Sequence, residues 1–196
     1  MKKIIIAALA AIVGAGLYAQ TMKARVDVSG RGVPLKPVSG PEKGYLRNIH
    51  WGKKENRKFA LICETSALPE GKWVKMSFAF IPEKDGKLSI NLMGPWNRSK
   101  GKKNLNACWI YYDMITVEGA TIKNGDFEAV SKKGGAASWS CSKEQYVTSG
   151  TDFVSGKAAV KAWHNKRCTQ VVNVKKGQKV TITVNVKAAE FVPSKK

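Results

Sequence analysis

Trp163, His164 and Asn165 are consecutive, and Gln170 lies five positions further on. A flat indole can stack on the apolar C–H face of a sugar ring. Imidazole and amide groups beside it can then hydrogen-bond the ring hydroxyls. A second pair, Trp96-Asn97, sits in the polar stretch Gly94-Pro-Trp-Asn-Arg-Ser-Lys100, and Trp51 follows His50 next to Lys53 and Lys54. Trp51, Trp96, Asn97, Trp163, His164, Asn165 and Gln170 are therefore candidate ligand-binding residues. Of the remaining tryptophans, Trp109 and Trp139 are expected in the core, because an indole buries a large apolar area.

Catalysis finds little support. The two histidines, His50 and His164, have no partner at helical zinc-binding spacing, and neither a G-x-S-x-G elbow nor a phosphate-binding G-x-x-x-x-G-K-[ST] loop occurs. A glycosidase needs two opposed carboxylates across a cleft, and no such pair stands out. One enzymatic alternative survives, a small polysaccharide lyase. There, Tyr111, Tyr112, His50 and the basic loops would supply groups to neutralise a uronate and remove its proton. Catalytic residues are expected to be none.

The N-terminus sets where such groups would work. Lys2 and Lys3 precede the apolar run Ile4–Leu17, and Leu17-Tyr18-Ala19 ends in a small residue. This order is that of a signal peptide over 1–19 cleaved near Ala19. The run is shorter than the ~20 apolar residues of a membrane span. The expected location is secreted, periplasmic or cell-surface. Removing Lys2 and Lys3 leaves 32 basic residues against 14 acidic ones, a net charge of +18. Such a surface attracts polyanions. Export ranks acidic glycans above nucleic acid, for which no fold signature is present.

Export also permits disulfides. The four cysteines, Cys63, Cys108, Cys141 and Cys168, allow three pairings. Chain order suggests Cys63–Cys108 and Cys141–Cys168.

The elements that must carry these residues are strands. Val74, Met76, Phe78 and Phe80 alternate with smaller or polar residues, and Leu88, Ile90 and Leu92 do the same after the turn Pro82–Gly86. The Asp85-Gly86 pair predicts a hairpin there. Further strands are expected at 22–28, 110–117, 157–164, 169–174 and 180–187, the last being the cleanest alternation in the chain. Ser29–Gly44, rich in Gly and Pro, reads as an extended loop. Most basic residues fall in the connections. A weak internal echo links 68–80 with 174–186, each a Gly turn feeding an alternating strand.

The segment Lys123-Asn-Gly-Asp-Phe-Glu128 followed by Trp139 resembles the opening of jelly-roll carbohydrate-binding modules of bacterial glycoside hydrolases. The order continues through Ser155–Asn165, Thr169-Gln-Val-Val172 and the turn Val174–Lys179, so the resemblance covers 121–190. In that family a strand like Trp109-Ile-Tyr-Tyr-Asp-Met-Ile-Thr-Val117 closes the module, whereas here it precedes the opening motif. The halves thus stand in permuted order, late-half-like 45–120 and early-half-like 121–192. The resemblance implies a binding cleft near His164, Asn165 and Gln170. It also implies a structural calcium held by Glu128 and Asp113, with Asp126 adjacent, although no cofactor is required.

The expected architecture is all-β: one antiparallel β-sandwich or jelly roll over 20–192 with a basic tail at 193–196. The expected role is non-catalytic binding of acidic or cell-surface glycans. The alternative is a structural or adhesive envelope protein with no sugar site. A glycan binder should group exposed aromatics on one face, and a scaffold should bury or scatter them.

Overall fold

The computed structural model describes residues 22–95 and 108–191. The expected signal peptide, the candidate pair Trp96-Asn97 and the basic tail lie outside the described residues.

Among the described residues, eleven strands form two antiparallel sheets. In chain order they are β1 (Arg25–Arg31), β2 (Leu35–Ser39), β3 (Gly44–Trp51), β4 (Lys58–Thr65), β5 (Val74–Pro82), β6 (Gly86–Met93), β7 (Cys108–Glu118), β8 (Tyr146–Val147), β9 (Ala159–Ala162), β10 (Cys168–Val174) and β11 (Val180–Phe191). One sheet has the order β10-β6-β1-β4-β3, the other β2-β5-β11-β7-β9-β8. The protein is an all-β sandwich, as the alternation predicts. Among the described residues no helix is long and apolar enough to cross a membrane.

Period-2 alternation builds the core. Met76, Phe78 and Phe80 of β5, Ile110 and Tyr112 of β7, and Val180–Val186 of β11 face Val26, Val28, Leu61, Leu88, Ile90 and Leu92 of the other sheet. The early and late parts of the chain interleave: β11 sits between β5 and β7, and β10 completes the edge beside β6. Neither part has a core without the other.

The predicted hairpin at Pro82–Gly86 is instead an arch. β5 and β6 lie in different sheets, and so do β10 and β11. Each pair turns its apolar side inward across the core. The turn itself is held by neighbouring segments and not by a strand ladder: Glu83 N–H donates to Pro34 O (2.9 Å), and Gly177 N–H to Pro82 O (2.8 Å). The two arches stack side by side. The echo segments therefore pair with each other, from Val74↔Val186 to Phe80↔Val180.

Two regions depart from the sequence expectation. Ser29–Gly44 holds β2, and β3–β4 form a hairpin that local pattern does not signal. The expected strand at 157–164 shortens to β9, because Trp163 and Lys166 close a turn with reciprocal backbone bonds of 3.1 and 3.0 Å.

Candidate functional site

The outward face of the six-stranded sheet collects the aromatic and basic side chains. On β7, Trp109 and Tyr111 alternate with inward Ile110 and Tyr112; on β9 and just beyond it, Lys161 and Trp163 alternate with inward Val160 and Ala162. Register then aligns the strands. Lys187 of β11 is opposite Tyr111, and Tyr111 is opposite Lys161. Trp73 stands one step beyond the Val74↔Val186 pair, under the Lys187 ammonium at 5.8 Å from the ring centre. The row reads Trp73, just before β5, then Lys187 of β11, Tyr111 of β7 and Lys161 of β9.

Trp109 and Trp163 form the next row. Their rings meet edge to face at 6.2 Å and 64°. Lys161 Nζ lies 5.1 Å from the Trp109 ring centre. The expectation that Trp109 is core is corrected: it is half-buried on the outer face, because β7 turns every second residue outward. Trp139 is core as expected, 6% exposed, with its ring 5.3 Å from Phe127.

Each lysine of the row has one acidic neighbour. Lys161 pairs with Glu190 at 2.9 Å, and Lys187 pairs with Asp152 and donates to Thr151 Oγ1. Both acids are well exposed. Acids as exposed as these hold their lysines only weakly, so a ligand anion can replace either of them. Below the row, Ser77 and Thr183 share a hydroxyl bond of 2.9 Å on the same face.

The other ligand candidates scatter. Gln170 is buried and faces inward. Its amide clamps Lys123, accepting from the backbone N–H at 2.8 Å and donating to the carbonyl at 2.9 Å. It is a structural tie and not a sugar contact. His164 is half-buried near the Arg25–Asp27 ion pair. Burial, then the Arg25 charge, holds its imidazole below the ordinary range, with Asp27 opposing. Asn165 is exposed on the turn and faces a separate cleft. Trp51 is 47% exposed at the end of β3, on the edge of the other sheet, with Lys58 Nζ 5.5 Å from its ring centre. Of the five candidates among the described residues, only Trp163 belongs to the aromatic face.

The residues named for a lyase do not meet. Tyr112 is fully buried; its hydroxyl donates to Met93 O (2.5 Å) and lies 3.0 Å from Arg25 O and 3.1 Å from Arg25 N. His50 stacks near Phe59 in the five-stranded sheet, and Tyr111 faces out from the six-stranded one.

Asp113 and Glu128 do approach each other, over the segment 154–158. Asp113 Oδ1 accepts Met114 N–H at 2.7 Å, and its Oδ2 accepts Val154 N–H at 2.8 Å and Ser155 N–H at 3.4 Å. Glu128 Oε1 accepts Lys157 N–H at 2.9 Å and Ala158 N–H at 3.0 Å. Asp126 Oδ1 accepts the Glu128 N–H at 3.4 Å. Burial raises the Asp113 carboxyl above its usual range, the three N–H bonds oppose this, and Glu128 adds to it. Calcium needs six to eight oxygen donors. Here N–H groups, not carbonyl oxygens, converge on the carboxylates, and among the described residues no three His, Cys, Asp or Glu gather. The arrangement does not fit the calcium that the resemblance implies. The carboxylates do the cation's work themselves, by tying down the segment 154–158.

All four cysteines carry free thiols, and no two sulfurs stand at disulfide distance. Cys63 belongs to a row of inward residues across the five-stranded sheet, opposite Val26, while Cys108 begins β7 in the other sheet. Burial pushes the Cys63 thiol far up and that of Cys108 to about 11. Cys141 and Cys168, by contrast, are hydrogen-bonded to each other.

The opening motif is structural. Asn124 accepts from Ala129 N–H and donates to the carbonyls of Ala129 and Ala137, each at 2.9 Å, and its own carbonyl takes the Trp139 indole N–H at 3.0 Å. The motif folds into a plug that carries Phe127 and Trp139 onto the core. Comparison with known proteins returns no matching family model, no matching curated protein and no matching solved structure.

Proposed function

We propose that this is an exported, non-catalytic carbohydrate-binding sandwich whose six-stranded face takes acidic glycans. One observation carries the reading: aromatic rings and ammonium groups alternate across neighbouring strands, Trp73–Lys187–Tyr111–Lys161, flanked by Trp109 and Trp163. Rings supply stacking planes for sugar C–H faces, and the lysines meet carboxylate or sulfate groups along the same chain. The strands hold these groups at a spacing set by the sheet, so little order is lost on binding. The rings of this face are half-buried, and their grouping on one side favours a binder over a scaffold, in which indoles would be buried or scattered. The basic excess of the chain would add long-range attraction.

A glycan array probed at low and high salt tests the reading. Uronate or sulfated oligosaccharides should bind, more weakly at high salt. Binding to no glycan at either salt would remove it.

A further inference from the structure

A cleft of about 1500 Å³ opens between the segment 139–145 and the turn 165–169. Lys132, Lys133, Lys143, Lys166 and Arg167 line it, against the single acid Glu144, which pairs with Lys166. Cys141 is part of its wall, half-buried, and Cys168 lies fully buried behind.

The backbone places the two sulfurs face to face. Ser140 and Thr169 form an antiparallel bridge with reciprocal bonds, Ser140 N–H to Thr169 O at 2.8 Å and Thr169 N–H to Ser140 O at 3.2 Å. The next step outward from that hydrogen-bonded pair sets Cys141 opposite Cys168. Such a non-hydrogen-bonded pair has Cα atoms about 4.5 Å apart, within the range a disulfide spans. Gly135 allows the approach: a Cβ there would meet Cys141 O at 2.4 Å and its Sγ at 3.2 Å.

The hydrogen bonds also assign different roles to the two sulfurs. Cys141 Sγ accepts the bond from Cys168 and, less strongly, Ala136 N–H at 3.3 Å, while Cys168 Sγ also reaches Lys161 O at 3.9 Å. The two bonds it accepts bring the Cys141 thiol down to about 7 against the effect of burial. Cys168 is driven well above the ordinary thiol range by that same bond and by burial, while Gln145 Nε2 donates to its sulfur at 3.3 Å. Tyr146 also lies within electrostatic reach of Cys141, and the Lys143 stem packs at Gly134 beside it.

We propose that Cys141 and Cys168 form a thiol–disulfide exchange site that takes an anionic small-molecule disulfide from the basic cleft. The Cys141 thiolate attacks one sulfur of the incoming disulfide. Its S–S bond breaks, and the departing half leaves as a thiolate. Cys168 then gives up its proton to the second departing thiolate and attacks Cys141 Sγ. The protein dithiol is oxidised to one disulfide, and the small disulfide is reduced to two thiols. An accessible low-pKa thiol attacks and a shielded neighbour resolves, the division of labour that thiol exchange requires. Cys63 and Cys108 take no part. The proposal keeps the expected Cys141–Cys168 pairing, as an exchangeable bond and not a structural one, and leaves Cys63 and Cys108 unpaired.

The test uses the reduced protein, glutathione disulfide as the anionic probe and cystamine as the cationic one. Glutathione disulfide should convert the protein to an intramolecular disulfide joining the Cys141 and Cys168 peptides. Cys168→Ser should stop at a stable glutathione adduct on Cys141, and Cys141→Ser should form neither product. At low salt glutathione disulfide should outpace cystamine severalfold, with the gap closing as salt rises. Should Cys168→Ser fail to fold, brief alkylation of the native wild type serves instead, and Cys141 should be labelled first. A linkage containing Cys63 or Cys108, equal labelling of all four thiols, or a faster reaction with cystamine at low salt would overturn the proposal.

Discussion

The ammonium of Lys161 lies 5.1 Å from the centre of the Trp109 ring, although 52 residues separate them in the chain. Antiparallel pairing of β7 and β9 makes them diagonal neighbours on one outward face. The indole is thereby held flat beneath a cation and against the edge of Trp163. Removing the ring should therefore cost binding and leave the fold intact. Trp109→Ala is expected to weaken affinity for an acidic oligosaccharide about tenfold, equivalent to about 1.4 kcal/mol, in calorimetric titration. The urea midpoint should move little, since the side chain is outside the core.

The lysines should set the salt dependence. Lys161→Gln combined with Lys187→Gln is predicted to flatten the fall of affinity between low and high salt, measured by the same titration. A slope equal to that of the wild type would move the charge effect away from this face.

Tyr112 bridges the two sheets, reaching from β7 to the backbone of Arg25 and Met93. Tyr112→Phe leaves those buried backbone groups unmatched. The loss of stability should be about 1–3 kcal/mol, read from chemical denaturation, with glycan affinity unchanged under native conditions.

Much of this framework is legible in local sequence. The alternation in 74–80 and 180–186 identifies β5 and β11, the aromatic and β-branched run 110–117 identifies β7, and the plug at 124–139 has its own motif. What is not legible depends on pairing. β4 is buried on both faces from Ala60 to Thr65, so it shows no period-2 signal. Two amphipathic strands joined by Asp85-Gly86 read alike whether they pair or face each other across a core, hence the arch. For the site, Trp109 and Tyr111 stand at outward positions of β7. The size of the indole argues for the core, and that argument prevails until the register is seen. Lys161 and Lys187 join them only through cross-strand pairing, which no short segment encodes.

Histidine 164 supplies a pH test. Its folded pKa lies below the unfolded one, because burial and then Arg25 disfavour the imidazolium. As pH falls through ~6.5, the unfolded state takes up the proton first, so stability present at neutral pH is lost. The urea midpoint should drop between pH 7.5 and 5.5, and His164→Gln should reduce that drop. An identical drop in the variant would assign it to other groups.

The carboxylate clasp predicts indifference to metal. Chelation with EDTA, or excess calcium, should leave the melting temperature unchanged. Glu128→Ala should lower stability by about 1 kcal/mol, as the exposed Lys157 N–H turns to water and the Ala158 N–H loses its acceptor. A rise in melting temperature with calcium would show that oxygen donors assemble after all.

The most direct test of the central claim is calorimetric titration of one uronate or sulfated oligosaccharide into the wild type and the double variant Trp109→Ala/Trp163→Ala. Wild type should bind with an affinity that falls as salt rises, and the folded double variant should lose at least tenfold. Equal affinity in the two proteins, or no binding by the wild type to any acidic glycan, would contradict the assignment of this face.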